Sequence, residues 1–562
     1  MAGEILTPIT VWKNFRIEKV PTAQTIGEFK NGNVLLSRVR IDGRVCQDGQ
    51  VKIYAVYARN VKKTKQNAII IFQKFLDGAS EKLVMEFAER GYCAMVVDLS
   101  GKDGINYNYT EYPQSLSYAN YLSAKGSLDK VTDQVTKTPW YEWGVTARYA
   151  LKYLKSFPFV EKVGGFGISD SATVLWHLAG TTEELDCVAF FMNAGWSAYS
   201  GNFKFKAEVD AQFTDEQLKY LAGIEPQAYA NRLKCPTFIA VPTNSPDCDF
   251  DRAHDTLARI NTDYYKTIYY SVGDIDCIDN QGFINVCTFF DKFLKNKGTN
   301  SSLATLPTIK CEQKGNKLSL TVIADKSKLK EVKLYSAEEQ YNPSLRQWQK
   351  LSHVSGGNGV YDFEYQPFFK SGVAFFFAVA VYQNGFEVGS DVVAKKFSQK
   401  DFPSSYARKV VYSSREDDAT SSFYPAGKNT EKPYGVVLHE RSVVEEKKGA
   451  MDITGVTCKN GLLSFKVGIK KYAPSNDSLL LMDVYVKEKT TVTVKLISDY
   501  FGARCEFIAS AIVNGGEVWH NLKFTINQFK SLEGMAIRSI EKIQAIEIAA
   551  DKDFLINNLL WV

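Results

Sequence analysis

Between residues 68 and 297 the sequence repeats one pattern, in which a short apolar run is followed by a longer segment of helical periodicity. Apolar runs without polar alternation are typical of parallel strands that helices bury on both faces. The predicted strands are residues 68–72, 93–97, 163–166, 187–192, 236–241 and 267–270. The predicted helices are residues 81–90, 141–156, 171–179, 251–260 and 284–297. The pattern therefore predicts an α/β domain with a doubly wound sheet.

Two long stretches, residues 104–139 and 195–232, interrupt this alternation. Insertions of this length at the strand ends of an α/β sheet usually cover the ligand crevice, so we expect the crevice beneath them. Ahead of the alternation, residues 34–41 and 51–57 have strand character. Asp48-Gly49 between them suits a tight hairpin turn.

The helical pattern stops at the polar residues 297–302, and only short alternating strands follow. Residues 308–398 predict an antiparallel sandwich of immunoglobulin-like size. A second all-β block continues from about residue 410 to the C-terminus. We therefore predict three domains: residues 1–300, which include the N-terminal strands, 301–408 and 409–562. The fold class is an α/β sheet followed by two β-sandwiches.

The composition excludes several classes of protein. The 562 residues are 45% hydrophobic and 23% charged, as in ordinary globular chains, and the net charge of +5 is too small to indicate a nucleic-acid binder. Ten scattered cysteines without a C-x-x-C pair argue against a zinc site and against a disulfide scaffold. No cofactor or metal is predicted.

Segments that would target the chain to a membrane are not visible in the sequence. No apolar run is long enough to span a bilayer, and no apolar signal segment follows Met1. We therefore expect a cytoplasmic protein, or a secreted one whose leader has been removed. The oligomeric state is left open.

The strongest local motif is Gly167-Ile168-Ser169-Asp170-Ser171, which lies between a predicted strand and a predicted helix. A Gly-x-Ser-x-Gly turn at such a junction is strained and lifts the serine hydroxyl to the top of the sheet. Gly167 matches the first glycine, and Ser171 stands where the second usually lies. The alternative is an ordinary strand–helix junction. We predict a sharp turn, with the backbone N–H groups of Ser169 and Asp170 directed into the crevice.

Residues 50–297 resemble the α/β-hydrolase superfamily, and within it acetyl xylan esterases and cephalosporin C deacetylases. Besides the serine motif, the resemblance is carried by residues 91–101, 223–229, 233–236 and 251–257, and by Trp143 and Arg148. It implies an α/β-hydrolase sheet for the first domain. It also implies a triad in the order serine, acid, histidine, with Ser169 as nucleophile. The acid would follow the strand at 236–241, and the histidine would follow the last strand.

The position that the resemblance assigns to the histidine carries Ile275 or Asp276. The five histidines of the chain lie elsewhere, at His177, His254, His353, His439 and His520. A serine hydroxyl needs a neighbouring base to accept its proton, and a carboxylate is a weak base unless it is strongly desolvated. An enzyme that loses this base still accelerates the reaction about 10³–10⁴-fold over the reaction in water, through the oxyanion hole and substrate binding.

The acid position and the oxyanion loop also depart from the family pattern. Ser245 aligns with the acid, and Asp247 and Asp249 are the nearby substitutes. The loop after the strand at 68–72 reads Gln73-Lys74-Phe75-Leu76, where the family usually has His-Gly. Backbone N–H groups can still stabilise an oxyanion, and those at Lys74 and Asp170 are the predicted donors.

The last block resembles carbohydrate-binding jelly rolls of the galactose-binding type, through residues 519–529, 545–548 and 554–561. Such modules bind sugars by stacking exposed aromatic rings on the sugar face. Tyr500, Phe501 and Trp519 are therefore candidates for stacking. Each is also explained as a core residue, and for Trp519 the core is favoured because aromatic side chains are mostly buried.

Two hypotheses of function follow. In the first, the chain is a carbohydrate-associated acyl esterase that uses Ser169, with Asp247 or Asp249 and an unusual base. In the second, it is a pseudoenzyme, a hydrolase fold without catalysis that binds carbohydrate or acts as a scaffold. Both predict a carbohydrate or acylated carbohydrate as partner, and neither involves nucleic acid or a membrane.

Overall fold

The computed structural model describes residues 4–206, 211–272, 280–295, 303–399, 409–426 and 443–562. Contacts within the chain divide these residues into two compact units. The first unit contains the described residues up to Leu306 together with Val381–Gly389, and the second contains the described residues of 307–380 and from 390 onwards. The further division of the second part into domains at 301–408 and 409–562 stays a prediction.

A nine-stranded mixed sheet forms the centre of the first unit. Its strands are β1 (Ala23–Asn31), β2 (Val34–Cys46), β3 (Gly49–Asn60), β4 (Gln66–Phe72), β5 (Cys93–Val97), β6 (Val160–Ile168), β7 (Cys187–Phe191), β8 (Thr237–Asn244) and β9 (Tyr264–Val272). The strand order is β1-β2-β3-β5-β4-β6-β7-β8-β9. Strands β1, β2 and β3 form an antiparallel meander that pairs antiparallel with β5, and the six strands from β5 to β9 are parallel. The predicted hairpin is therefore the antiparallel extension of the main sheet.

Helices cover both faces of this sheet. They are α1 (Pro8–Trp12), α2 (Glu81–Glu89), α3 (Tyr121–Ala124), α4 (Pro139–Lys155), α5 (Ala172–Ala179), α6 (Asp215–Gly223), α7 (Pro226–Tyr229), α8 (Ala253–Leu257) and α9 (Asn280–Phe293). A Cβ on Gly164 would lie 2.9 Å from Phe290 of α9, and one on Gly165 would lie 2.5 Å from Leu175 of α5. Since successive residues of a strand point to opposite faces, α9 and α5 lie on opposite sides.

No helix in the described parts of the chain is both long enough and apolar enough to cross a membrane.

A buried carboxylate organises the start of the first insertion, directly after β5. Asp98 accepts backbone N–H groups from Ser100, Gly101 and Thr110, at 3.2, 3.3 and 2.7 Å. Burial raises the pKa of Asp98 to about 6, although these hydrogen bonds oppose the shift. The carboxylate thus closes the loop that leaves the carboxyl end of the sheet, the end at which Ser169 also lies.

The second unit is built from antiparallel strands. The strands that follow the first sheet in the chain are β10 (Thr308–Lys314), β11 (Lys317–Ile323), β12 (Leu329–Glu338), β13 (Gln349–Leu351), β14 (His353–Gly357), β15 (Val360–Tyr365), β16 (Ser371–Tyr382), β17 (Glu387–Gly389) and β18 (Val393–Ser398). Of these, β17 and the last two residues of β16 belong to the first unit. One sheet has the order β10-β11-β15-β14, and another has the order β13-β12-β16 with β18 also paired to β16.

The last part of the chain adds two further sheets. Its elements are β19 (Val410–Tyr412), α10 (Ala419–Ser422), β20 (Tyr424–Pro425), β21 (Glu445–Lys448), β22 (Thr454–Thr457), β23 (Leu462–Ser464), β24 (Leu479–Val486), β25 (Thr490–Ser498), β26 (Cys505–Val513), β27 (Trp519–Thr525), β28 (Ile543–Ala550) and β29 (Phe554–Trp561). The sheets run β21-β22-β29-β24-β27, with β19 on β29, and β20-β23-β28-β25-β26. One core cluster takes buried side chains from both sheets, Val484 from the first and Val494 from the second among them, so the two sheets pack face to face. The predicted order, an α/β sheet followed by parts built mainly of β-strands, is confirmed.

Candidate active site around Ser169

Ser169 lies at the junction between β6 and α5, in a single 3₁₀ turn that spans Ser169–Ser171. Its φ angle is 57°, in the left-handed region, which a non-glycine residue adopts only under strain. The turn brings the helix back against the strand, and a Cβ on Gly167 would lie 2.7 Å from the Ala172 Cα. The glycine is needed because no side chain fits there. This is the geometry of a nucleophile elbow.

Ser171 occupies the position of the second glycine and is fully buried. Its Oγ lies 2.9 Å from the Ile168 carbonyl and 3.1 Å from the Phe72 carbonyl, so its one hydrogen is shared between them. Phe72 is the last residue of β4, the strand next to β6. The serine therefore links the serine turn to the start of the oxyanion loop, a contact that glycine could not make.

The Ser169 side chain is 9% exposed, and its hydroxyl forms no hydrogen bond with any residue that the structure describes. Ile275 and Asp276, the two residues at the predicted histidine position, lie outside the described residues. The prediction about that position stays a prediction. No base for Ser169 comes from the described parts of the chain.

The histidines of the described chain are engaged elsewhere. His177 lies in α5, and its Nε2 is 2.7 Å from the Ile224 carbonyl while its ring lies 4.4 Å from the Tyr229 ring. His254 lies in α8, with its ring 6.3 Å from that of Tyr264. His353 and His520 lie in strands of the second unit, and His439 falls outside the described residues. None of the described histidines is hydrogen bonded to Ser169.

His177 should make the stability of the first unit depend on pH. Burial lowers the pKa of this histidine to about 4, from an ordinary value of 6.5. Because the unfolded chain then binds the proton more tightly, the free energy of unfolding should fall as the pH falls from 6.5 to about 4. The total loss should be roughly 3 kcal/mol. The measurement is urea denaturation at a series of pH values. The free energy of unfolding of the His177→Gln variant, whose amide can still donate to the Ile224 carbonyl, should fall less steeply between pH 6.5 and about 4.

The exposed His353 supplies the control for this prediction. In the His353→Gln variant the free energy of unfolding should decrease with falling pH as it does in the unchanged chain. If it decreases equally in the unchanged chain and in the His177→Gln variant, His177 is not the cause of the decrease.

The two predicted acids differ in their surroundings. Asp249 accepts the N–H groups of Asp251 and Arg252 at 3.0 Å each, and its second oxygen pairs with the Arg252 guanidinium, also at 3.0 Å. Burial raises the pKa of Asp249. Asp247 is exposed, and its N–H donates to the buried Ser245 hydroxyl at 3.2 Å. Asp249 therefore stabilises the turn before α8. Neither carboxylate is hydrogen bonded to Ser169.

The loop at the predicted oxyanion position is held by packing. Phe75 is 4% exposed, and its ring lies 4.7 Å from Tyr121 and 4.3 Å from Trp143. Leu76 has a φ of 73° and donates its N–H to the Ser100 hydroxyl at 3.0 Å. Lys74, which precedes Phe75, is half-buried. The loop that would present backbone donors is thus fixed by one aromatic side chain from the first insertion, Tyr121, and one from α4, Trp143.

Gln73, which stands where the family has histidine, was not predicted as a site residue. Its Oε1 accepts the Ser80 N–H at 2.7 Å, at the N-terminus of α2. Its Nε2 is buried and has no hydrogen-bond partner within the described chain. The replacement of the family histidine by glutamine is the signal in the sequence that could have singled it out.

The segment after β7 is held by another residue that sequence reasoning missed. Glu225 is fully buried and accepts the N–H groups of Trp196 and Ala198, at 2.7 and 2.8 Å, and the Ser197 hydroxyl at 2.6 Å. It also accepts the Gln227 side-chain amide. This segment leaves the same edge of the sheet as Ser169, because β6 and β7 are parallel. The buried carboxylate therefore shapes one wall beside the serine turn.

The three aromatic candidates of the last β block do not form one surface. Trp519 in β27 packs against Gly449 and Gly455, and its Nε1 donates to the Ala450 carbonyl at 3.1 Å. Tyr500 and Phe501 follow β25, with ring centroids 4.9 Å apart. The Arg504 guanidinium lies 4.5 Å over the Tyr500 ring. The structure thus brings Tyr500 and Phe501 together and places Trp519 on a different sheet.

Within the described residues, no cluster of three or more His, Cys, Asp or Glu side chains could hold a metal ion.

Comparison with known proteins gives likenesses in structure alone. No family model matches the sequence, and no curated protein matches it. An acetyl xylan esterase from a Paenibacillus species shares 12% identity, with 51% of this chain and 92% of that chain covered and a TM-score of 0.37. Acetyl xylan esterase 1 from a Thermoanaerobacterium species shares 14% identity, with 48% and 87% covered and a TM-score of 0.36.

A third structure is the acylaminoacyl peptidase of Pyrococcus horikoshii, at 12% identity, with 50% of this chain and 51% of that chain covered and a TM-score of 0.35. All three likenesses involve about half of this chain. The first unit is a mixed α/β sheet with a strained serine turn between β6 and α5.

Proposed function

We propose that the first unit is a slow carboxylic ester hydrolase of acylated carbohydrates, with Ser169 as its nucleophile. The observation that carries the proposal is the left-handed conformation of Ser169 at the strand–helix turn. A strained turn at this place has a cost in folding free energy, and its chemical use is to expose the serine hydroxyl at the top of the sheet. The acylated carbohydrate is proposed from the resemblance to acetyl xylan esterases.

In this mechanism the Ser169 Oγ attacks the acyl carbon, and the carbonyl electron pair moves onto the oxygen. Backbone N–H groups at Asp170 and in the loop Gln73–Leu76 would stabilise this oxyanion. The serine proton passes to solvent, because no imidazole of the described chain reaches the hydroxyl. The sugar hydroxyl then leaves, taking a proton from water, and water hydrolyses the acyl-serine.

Among the described residues no imidazole is hydrogen bonded to Ser169, and this sets the expected rate and its pH dependence. Enzymes that lose triad members retain about 10³–10⁴-fold acceleration over water, so turnover should be slow but measurable. Without a histidine that titrates near neutrality, the rate should keep rising with hydroxide concentration and show no plateau around pH 7.

The test is the hydrolysis of p-nitrophenyl acetate and of acetylated xylan by the full chain. The Ser169→Ala variant should lose activity on both substrates, while the Ser123→Ala variant, which changes an exposed serine on α3, should keep it. Equal rates for the unchanged chain and the Ser169→Ala variant would remove Ser169 from the mechanism.

A second candidate function is a pseudoenzyme that binds carbohydrate without hydrolysing it. It is favoured by the commitment of His177 to the Ile224 carbonyl and of Asp249 to Arg252. A fluorophosphonate probe separates the two candidates, because stable labelling requires an activated serine hydroxyl. Labelling of Ser169 at neutral pH would exclude the pseudoenzyme, and its absence, together with inactivity on both esters, would favour it.

A further inference from the structure

Strand β1 (Ala23–Asn31) forms one edge of the nine-stranded sheet. It pairs with β2 on one side, and in the described parts of the chain no strand pairs with its other side. Most of its side chains are exposed, and Phe29 keeps 56% of its surface open to solvent. Such an edge presents a row of N–H and C=O groups with which a further strand can pair.

The turn between β1 and β2 decides which backbone groups of β1 point outward. The turn has two residues, 32 and 33, so Asn31 and Val34 form the hydrogen-bonded pair that closes a two-residue hairpin. Hydrogen-bonded and non-hydrogen-bonded pairs alternate along an antiparallel ladder. The N–H and C=O groups of Asn31 therefore face β2, whereas those of Glu28 and Lys30 face outward.

The order of residues on this edge suits a second copy of the same strand. Two copies related by a two-fold axis run antiparallel, and an axis beside Phe29 places Phe29 opposite itself and Glu28 opposite Lys30. The outward groups of Glu28 and Lys30 are then in phase, because these residues form the hydrogen-bonded pairs of the new ladder. Phe29 falls in the non-hydrogen-bonded pair, in which the side chains approach most closely.

The charges favour this register. Glu28 and Lys30 are exposed, and neither takes part in an ion pair with a described residue. Glu28 accepts the Ser37 hydroxyl through one oxygen at 3.0 Å, which leaves its other oxygen for a lysine of the second copy. A two-fold axis beside Glu28 or Lys30 would set that residue against its own like charge, which destabilises a strand pair. The axis beside Phe29 pairs opposite charges instead.

The ring of Phe29 supplies the apolar contact. Phe29 lies opposite Leu36 of β2, which is 1% exposed, so the two paired rings would continue the apolar face of the sheet across the axis. The register between β1 and β2 shifts between Thr25 and Gly27, and this irregularity ends the regular part of the edge. The new ladder therefore covers Gly27–Asn31 of each copy.

We propose that this edge is an interface between two copies of the chain, which associate by antiparallel pairing of β1 centred on Phe29. The assembly closes at two copies, because the dimer uses the β1 edge of both chains and leaves none for a third. So short a ladder is smaller than the interface of a permanent dimer, and the dissociation constant should be on the order of 10–100 μM. The interface is independent of the chemistry proposed for Ser169.

The experiment is sedimentation equilibrium of the full chain at concentrations below and above this range. The mean mass should rise from that of one chain towards that of two. The Glu28→Lys and Lys30→Glu variants should each weaken the dimer at least about tenfold, because each sets like charges against each other across the axis. The Lys489→Glu variant makes the same change of charge at an exposed lysine of the second unit, and it should dimerise as the unchanged chain does.

Mixing the two charge variants tests whether β1 of one copy faces β1 of the other. One variant has two positive side chains on the edge and the other has two negative ones. An equimolar mixture should therefore dimerise at concentrations where each variant alone is monomeric. The double variant with both Glu28→Lys and Lys30→Glu exchanges the charges within one strand, and it should regain the dimer for the same reason.

Three outcomes would overturn the proposal. A chain that stays monomeric throughout would show that the charges on β1 protect the edge from pairing. A dimer that persists in both single variants would lie on another surface, and a mixture that stays monomeric would exclude contact between the β1 strands. Both charged side chains are exposed, so urea denaturation should give the same unfolding transition for every variant and exclude misfolding as the cause of a lost dimer. The Ser169→Ala variant should dimerise as the unchanged chain does.

Discussion

Replacing Gly167 with alanine is expected to destabilise the first unit by about 3 kcal/mol or to prevent its folding. The added methyl group would lie 2.7 Å from the Ala172 Cα, 2.9 Å from the Ala172 Cβ and 3.2 Å from the Leu175 Cβ. The nearest of these atoms belongs to the backbone, so no change of side-chain rotamer can relieve the clash. Relief requires α5 to move away from β6, and that movement would also change the turn at Ser169.

The measurement is urea denaturation of the full chain, with the Gly126→Ala variant as control. A Cβ on Gly126 would meet no atom within 4 Å, so alanine should be neutral there or slightly stabilising. Equal unfolding free energies for the two variants would show that α5 adjusts without cost and would contradict the close contact.

The Glu225→Ala substitution is expected to cost roughly 3–5 kcal/mol, because each buried donor left without an acceptor costs about 1–3 kcal/mol. The carboxylate accepts the N–H groups of Trp196 and Ala198, the Ser197 hydroxyl and the Gln227 amide. The loss should fall on the segment after β7 more than on the sheet. Trypsin should then cleave faster after Lys204, whose ion pair with Asp255 holds the same segment against α8.

The matched control is Glu183→Ala, which removes an exposed glutamate from the loop after α5. Its rate of cleavage and its unfolding free energy should equal those of the unchanged chain. If the Glu225→Ala variant resists trypsin as well as the Glu183→Ala variant does, the carboxylate does not hold the segment.

The sequence predicted the first sheet well because buried parallel strands are continuous apolar runs. The run at 93–97 is β5 itself, with every residue buried, and the runs at 68–72 and 187–192 coincide closely with β4 and β7. The pairing of the N-terminal strands with β5 could not be predicted from local pattern. Such pairing depends on which edge of the sheet remains free after the other strands have assembled.

A single local turn could be inferred from the sequence, whereas contacts between distant segments could not. The turn at Ser169 is encoded by neighbouring small residues, Gly167 above all, so its geometry could be inferred from sequence. The role of Glu225 depends on donors almost thirty positions away in the chain, and no spacing rule identifies them. The hydrogen bonds of Asp249 in the turn before α8 could not be inferred for a different reason, because an acid that holds a turn and a catalytic acid look alike in sequence.

The backbone strain at Ser169 has a consequence for anyone who engineers this chain. A left-handed residue other than glycine costs about 1–2 kcal/mol, and glycine at position 169 would recover part of it. A screen for heat resistance alone would therefore favour Ser169→Gly. Such a screen measures only stability, so it would not report that the hydroxyl has been lost. Libraries that aim at a more robust scaffold should hold this position fixed, because the thermal stability of the chain and the proposed reactivity of Ser169 make opposite demands on a single residue.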